Sequence, residues 1–160
     1  MGGYGPDVEF IDRALEWTFE RLALDTRRLA ITGFSEGASY ALSLGLPNGS
    51  LFTRVVAFSP EFMVPASRRG KPPVFVSHGT RDRVLPIESC SRRIVPQLEH
   101  TGYQVRYREF AGPIRYPNPS PARRCIGSAR MTVRPMRTPR GTSTCEEEIW
   151  EIFGVPTPAC

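Results

Sequence analysis

Histidine is the scarcest reactive residue in this chain, with two among 160 residues, at positions 78 and 100. That scarcity, with four cysteines at 90, 125, 145 and 160 that show no C-x-x-C spacing, removes a zinc pattern. Nothing else calls for a metal or a cofactor. The cysteine spacing also gives no disulfide framework, so unpaired thiols in a reducing compartment are expected. No run of about eighteen apolar residues occurs, and stable membrane insertion is not expected. The opening "MGGYGPDVEF" lacks the basic start and apolar core of a secretory leader. A cytoplasmic protein is the default expectation.

A charge excess of one sign is also missing from most of the chain. Residues 1–110 hold 14 Lys and Arg against 12 Asp and Glu, whereas residues 111–160 hold 7 against 4. The net charge of +5 therefore owes more to the tail than its length would suggest. No aromatic-interleaved basic face or nucleic-acid module accompanies it, so no nucleic-acid partner is expected.

What is present is an alternation of helical and strand-like segments. Ile11, Leu15, Phe19 and Leu22 recur at helical spacing, with Asp7 as a candidate N-cap, predicting a helix over 7–24. It should cover one face of a sheet. Short apolar runs near Leu29, Val55, Val74 and Val105 read as about four strands, the first three buried on both faces. Helices are expected after Ser35 and after Asp82. The second is marked by Ile87, Cys90, Ile94 and Leu98, with Pro96 kinking or dividing it and Gly102 closing it. Strands alternating with helices make the fold class α/β with a mostly parallel sheet. Beyond Ala111 apolar periodicity disappears until "EEEIWEIF", and residues 111–160 carry eight of the sixteen prolines. The chain thus divides into a folded domain at 1–113 and an Arg/Pro-rich tail at 114–160. Most of that tail is expected to be disordered, with at most a short helix near 145–153.

Chemistry concentrates in "TGFSEGA", residues 32–38. A G-x-S-x-G match between a strand and a helix is the setting in which a serine is driven into a strained turn, its hydroxyl projecting above the sheet. Ser35 is the candidate nucleophile, and the Glu36 backbone N–H, at a helix N-terminus, is the candidate oxyanion donor. The competing reading is a helix-capping serine beside a packing glycine. Asp82, in "SHGTRDRVLP", lies past the end of another strand, where open α/β sheets place their sites. It is a candidate acid, or else a turn-tying aspartate.

These segments, "TGFSEGASYALSLGL", "VVAFSPEFM" and "VFVSHGTRDRVLPIESC", resemble the phospholipase/carboxylesterase branch of the α/β-hydrolase superfamily over about residues 7–113. That branch includes serine esterases similar to acyl-protein thioesterases. The resemblance implies a serine hydrolase acting on small carboxylic esters or thioesters, with Ser35 as nucleophile, Asp82 as triad acid and a histidine after the following strand. There this chain reads "AGPIRYP", with Ile114 at the expected position. His78 is a weak substitute, expected to serve packing or a turn, and His100 is expected to be a solvated residue late in a helix. The resemblance also implies several strands upstream of the serine that this sequence does not show. An impaired esterase is therefore expected. The alternative is an inactive family fragment or variant, acting as a binding module or arising from a shifted frame or retained intron. A half-sheet would leave one edge exposed, so self-association is expected through it.

Overall fold

The structure is a computed structural model that describes residues 6–64 and 69–114. The expectations for the tail, including the short helix near 145–153, concern residues outside that range; only Ile114 of the tail is described. Elements run in the order α1 (Pro6–Arg21), a single 3-10 turn (Thr26–Arg28), β1 (Ala30–Phe34), α2 (Glu36–Gly45), β2 (Arg54–Phe58), β3 (Val74–Gly79), α3 (Ser91–His100) and β4 (Val105–Phe110). The four strands form one parallel sheet in sequential order, with Ile31 opposite Val55, Val56 opposite Phe75, and Val76 opposite Tyr107. The expected α/β architecture is what the chain forms.

Parallel strands buried on both faces need continuous apolar runs, and β2 and β3 supply them. Val55, Val56, Ala57, Phe75 and Val76 are all fully buried. Their side chains alternate between two packing layers. Val55, Ala57, Val74 and Val76 meet Ala38, Leu42 and Leu46 around α2, and Ile94, Val95 and Leu98 of α3, so both helices lie on the same face. Val56, Phe58 and Phe75 occupy the opposite face, the two rings edge-to-face at 6.1 Å. Burying a side chain the size of Phe75 stabilises the fold by about 3 kcal/mol at most.

Pro96 sits inside α3, which runs from Ser91 to His100 without the division that was one of its two expected effects. In a helix that begins at Ser91, the one intrahelical bond that Pro96 cannot donate would reach back to Arg92, in the first turn. The buried Ile94, Val95 and Leu98 hold the remaining helix on the sheet. Gly102, at φ 80°, ends it as expected.

The helix at the amino end differs most from expectation. It stops at Arg21, and although its apolar period is present, none of its residues is buried. Phe10 is 67% exposed and Trp17 56%. Instead of covering a sheet face, α1 stands beside β1 and encloses with α2 an open apolar groove of about 540 Å³.

Candidate active site

The turn from β1 into α2 has the geometry that its glycine spacing predicts. Ser35 adopts φ 57° and ψ −124°, a combination that L-residues avoid and that persists only when surrounding structure enforces it. Two sets of bonds do so. Its N–H donates to the Phe58 carbonyl at 2.8 Å, continuing the β1–β2 ladder, while its carbonyl accepts from Ala38 at 3.0 Å and Ser39 at 3.3 Å, starting α2. Strand and helix thus meet at one residue. The Ser35 hydroxyl makes no capping hydrogen bond to α2, which disposes of the helix-cap reading. Glu36 is the first helical residue, so its N–H has no acceptor within the helix and joins the positive end of the dipole.

The two flanking glycines are not equivalent. A Cβ on Gly33 would lie 1.9 Å from the Gly37 carbonyl oxygen, a backbone overlap that no rotamer relieves, whereas a Cβ on Gly37 would meet nothing within 4 Å. The first glycine is required by close approach. The second faces the groove beside α1.

Asp82 lies beyond the carboxyl end of β3, at the same end of the sheet as Ser35. Its Oδ1 accepts from the backbone N–H groups of Val84 and Leu85, both at 2.9 Å. Its own N–H closes the turn on the Gly79 carbonyl at 3.1 Å. The turn-tying role and a presented carboxylate therefore coexist, because one oxygen performs the first and leaves the second. Oδ2 is buried and has no hydrogen-bond partner among the described residues.

His78 stands 3.3 Å from that oxygen through Nε2, a pair that could count as an ion pair if the ring were charged. Its other contacts assign the protons differently. Nε2 is 2.9 Å from the Leu85 carbonyl, which can only accept, and Nδ1 is 2.6 Å from the Ser91 hydroxyl. A neutral ring with its proton on Nε2 satisfies both, the hydroxyl donating to Nδ1. We therefore read the Asp82 contact as a close approach and the Leu85 contact as the hydrogen bond. Both ring nitrogens are engaged and the residue is fully buried, in keeping with the packing role expected of His78. His100 ends α3, which delivers the chain to the amino end of β4, the far end of the sheet from Ser35.

Ile114 is brought to the acid's side of the sheet. Thr80 and Arg81 donate backbone N–H bonds to Phe110 and Gly112, each at 2.9 Å. A Cβ on Gly79 would fall 2.5 Å from the Gly112 oxygen and 2.6 Å from that of Pro113. The segment after β4 is thus pressed backbone to backbone against the start of the Asp82 loop. Ile114 follows it directly and carries no ionisable group.

Sequence reasoning passed over Ser59. It is buried, lies at the end of β2 between the Ser35 turn and β3, has φ 52°, and its hydroxyl has no partner among the described residues. Its signal in the sequence was a polar residue closing an apolar strand ahead of Pro60. Among the described residues no group of three or more His, Cys, Asp or Glu could hold a metal ion, and no helix is long and apolar enough to cross a membrane.

Comparison with known proteins follows the same outline. Residues 8–111 match the Phospholipase/Carboxylesterase family. The esterase PE8 structure is similar over 67% of this chain and 52% of its own, at 28% identity and a TM-score of 0.60. A ferulic acid esterase of Anaeromyces mucronatus is similar over 68% and 47%, at 20% identity and 0.60. A Bacillus cereus carboxylesterase is similar over 68% and 50%, at 21% identity and 0.53. The last two likenesses concern the fold. This chain spans about half the length of each of these structures. No curated protein matches it.

Proposed function

Since the chain belongs to the phospholipase/carboxylesterase family, we propose that its site is built for serine-dependent hydrolysis of small carboxylic esters or thioesters, and that the chain as it stands performs this reaction poorly. One observation carries the reading: Ser35 is held at φ 57° over the end of a parallel sheet with its hydroxyl unspent as a cap. In the proposed reaction that hydroxyl attacks the ester carbonyl and loses its proton to a base. The oxyanion is met by the Glu36 N–H, the alcohol or thiol leaves with a proton, and water hydrolyses the acyl-serine. Asp82 is the proposed triad acid, its unpartnered Oδ2 awaiting an imidazole N–H.

The base is the deficient part. Ile114 cannot take a proton, and His78 is committed to Leu85 and Ser91. Loss of a triad histidine costs about a million-fold in turnover, leaving roughly a thousand-fold over water. A second reading, an inactive family member that binds rather than cleaves, draws on the same two residues. We place the chain in the cytoplasm, in keeping with the free, buried thiol of Cys90, and we expect no nucleic-acid partner.

Labelling by a fluorophosphonate probe tests the proposal. The native chain should label no faster than Ser35→Ala. Ile114→His should gain labelling and ester turnover that disappear again in combination with Ser35→Ala and fall steeply with Asp82→Asn. A folded Ile114→His protein that gains neither would remove Ser35 as nucleophile and Asp82 as triad acid. Ready labelling of a serine other than Ser35 would place the chemistry elsewhere.

A further inference from the structure

Ser59 is an unexpected residue for its place. At φ 52° it holds a backbone conformation that glycine takes freely and an L-residue takes only under strain. Its hydroxyl is buried with no hydrogen-bond partner among the described residues. A glycine there would remove the strain and the stranded hydroxyl together. The serine therefore carries two local costs, and what offsets them must be something that the hydroxyl meets.

A second stranded group lies at the same end of the sheet. The Asp82 side chain is fully buried, and its Oδ2 has no hydrogen-bond partner among the described residues, the nearby His78 Nε2 at 3.3 Å giving its proton to Leu85. Backbone pairing brings the two groups together. Phe58 pairs with Ser77, and the Ser59 N–H donates to the Ser77 carbonyl at 2.7 Å, so the parallel ladder sets Ser59 opposite His78. His78 is thus a neighbour of both, across the ladder from Ser59 and through its ring from Oδ2. Both strands are interior, β2 lying between β1 and β3, and β3 between β2 and β4. Of the two stranded groups, the hydroxyl can donate and the carboxylate oxygen can only accept.

We propose that Ser59 is a positioning residue for Asp82, its hydroxyl donating to an internal water that in turn donates to Oδ2. No direct bond joins the two side chains. Neighbouring strands stand about 4.8 Å apart, a span that one water closes with two hydrogen bonds of about 2.8 Å. Polar groups on both sides suit such a water, whereas an apolar site stays dry. The bridge fixes the second oxygen of a carboxylate whose first is already held by Val84 and Leu85. A lone pair of Oδ2 is left for an imidazole N–H. The use of this arrangement in catalysis rests on Asp82 being the triad acid, but the bridge itself does not.

Two mutant cycles and one structure test it. In the native chain, Ser59→Gly keeps the turn and deletes the hydroxyl, and Asp82→Asn keeps an acceptor for Val84 and Leu85. In urea melts, the double variant's change in unfolding constant should depart from the product of the single changes by at least about threefold. Agreement with the product overturns the bridge. A high-resolution crystal structure of the native chain should place a water within about 3.2 Å of both oxygens, and its absence overturns the bridge as well. In the Ile114→His protein, Ser59→Gly should lower kcat about tenfold with KM within about twofold, while the urea midpoint changes little. It should lower kcat no further in an Asp82→Asn background. A serine that only shaped the turn would leave kcat unchanged, since glycine shapes it equally well, and that result overturns the positioning role. If Ile114→His gains no turnover, the ester-cleaving reading fails, and the urea cycle still decides whether Ser59 holds Asp82.

Discussion

The two edges of this sheet, the uncharged β1 and the charged β4, meet opposite fates. At the β4 edge, α3 lies across the sheet with Ile94, Val95 and Leu98 buried, and the chain returns after Phe110 to pack against Gly79. At the β1 edge, α1 has a comparable apolar period and buries none of it. An amphipathic stripe is a demand for a neighbour, and of these two helices only α3 has one within the described protomer.

The difference has its largest consequence for stability. Phe75→Ala at the sheet centre should cost about 3–5 kcal/mol, since a fully buried ring leaves a cavity that strands on both sides cannot close. Ile11→Ala in α1 should cost less than about 1 kcal/mol, because the side chain lines an open groove. Urea melts at low micromolar protein would read both. Equal losses would mean that the face of α1 is covered in solution, and the contrast between the edges would fail.

A smaller effect sharpens the β3 side of the contrast. His78 ties three pieces together: its own strand, the loop at Leu85, and the start of α3 at Ser91. Ser91→Ala would leave a buried ring nitrogen without its donor, and His78→Phe would strand a carbonyl and a hydroxyl. Each should cost about 1–3 kcal/mol. Because they break one shared network, the double variant should cost less than the sum, by roughly 0.5 kcal/mol or more. Strict additivity would mean that the two groups do not meet in solution.

Much of the fold was legible in the sequence, and each part that was not has its own physical reason. The strands near Val55 and Val74 announced themselves because burial on both faces requires an unbroken apolar run. The Ser35 turn was legible because close approach demands Gly33, whereas the second glycine of the pattern has no steric partner. The reading of α1 as a sheet cover failed because periodicity reports a face without reporting what meets it. The continuity of α3 through Pro96 was hidden because the sequence does not show how few bonds precede that residue in the helix. Ser59 was missed because a positive φ leaves no mark on a non-glycine residue.

The faintest difference between the two edges lies in their surface ion pairs, and pH separates them. Arg92 of α3 grips Glu109 of β4 with two bonds, at 2.8 and 2.7 Å, and also meets Glu88. The Arg92 guanidinium holds the Glu109 carboxyl below the usual carboxylate range, and the carboxylates in turn push Arg92 up. A carboxyl whose value is depressed on folding stabilises the native state above its unfolded value and loses that contribution as pH falls through the folded one. Stability of the native chain should therefore fall on the acid side, and the gap between it and Arg92→Met should narrow as the solution is acidified. Near the β1 edge Asp25 is held low by Arg27 within a single turn, a contact of neighbours that links no two elements. Asp25→Asn should move the acid limb less than Arg92→Met does, because unfolding need not separate residues two apart. Urea midpoints from neutral to acid pH, at low and high salt, would measure both. A larger effect at Asp25 would mean that the β1 edge is fastened in a way its exposed helix does not show.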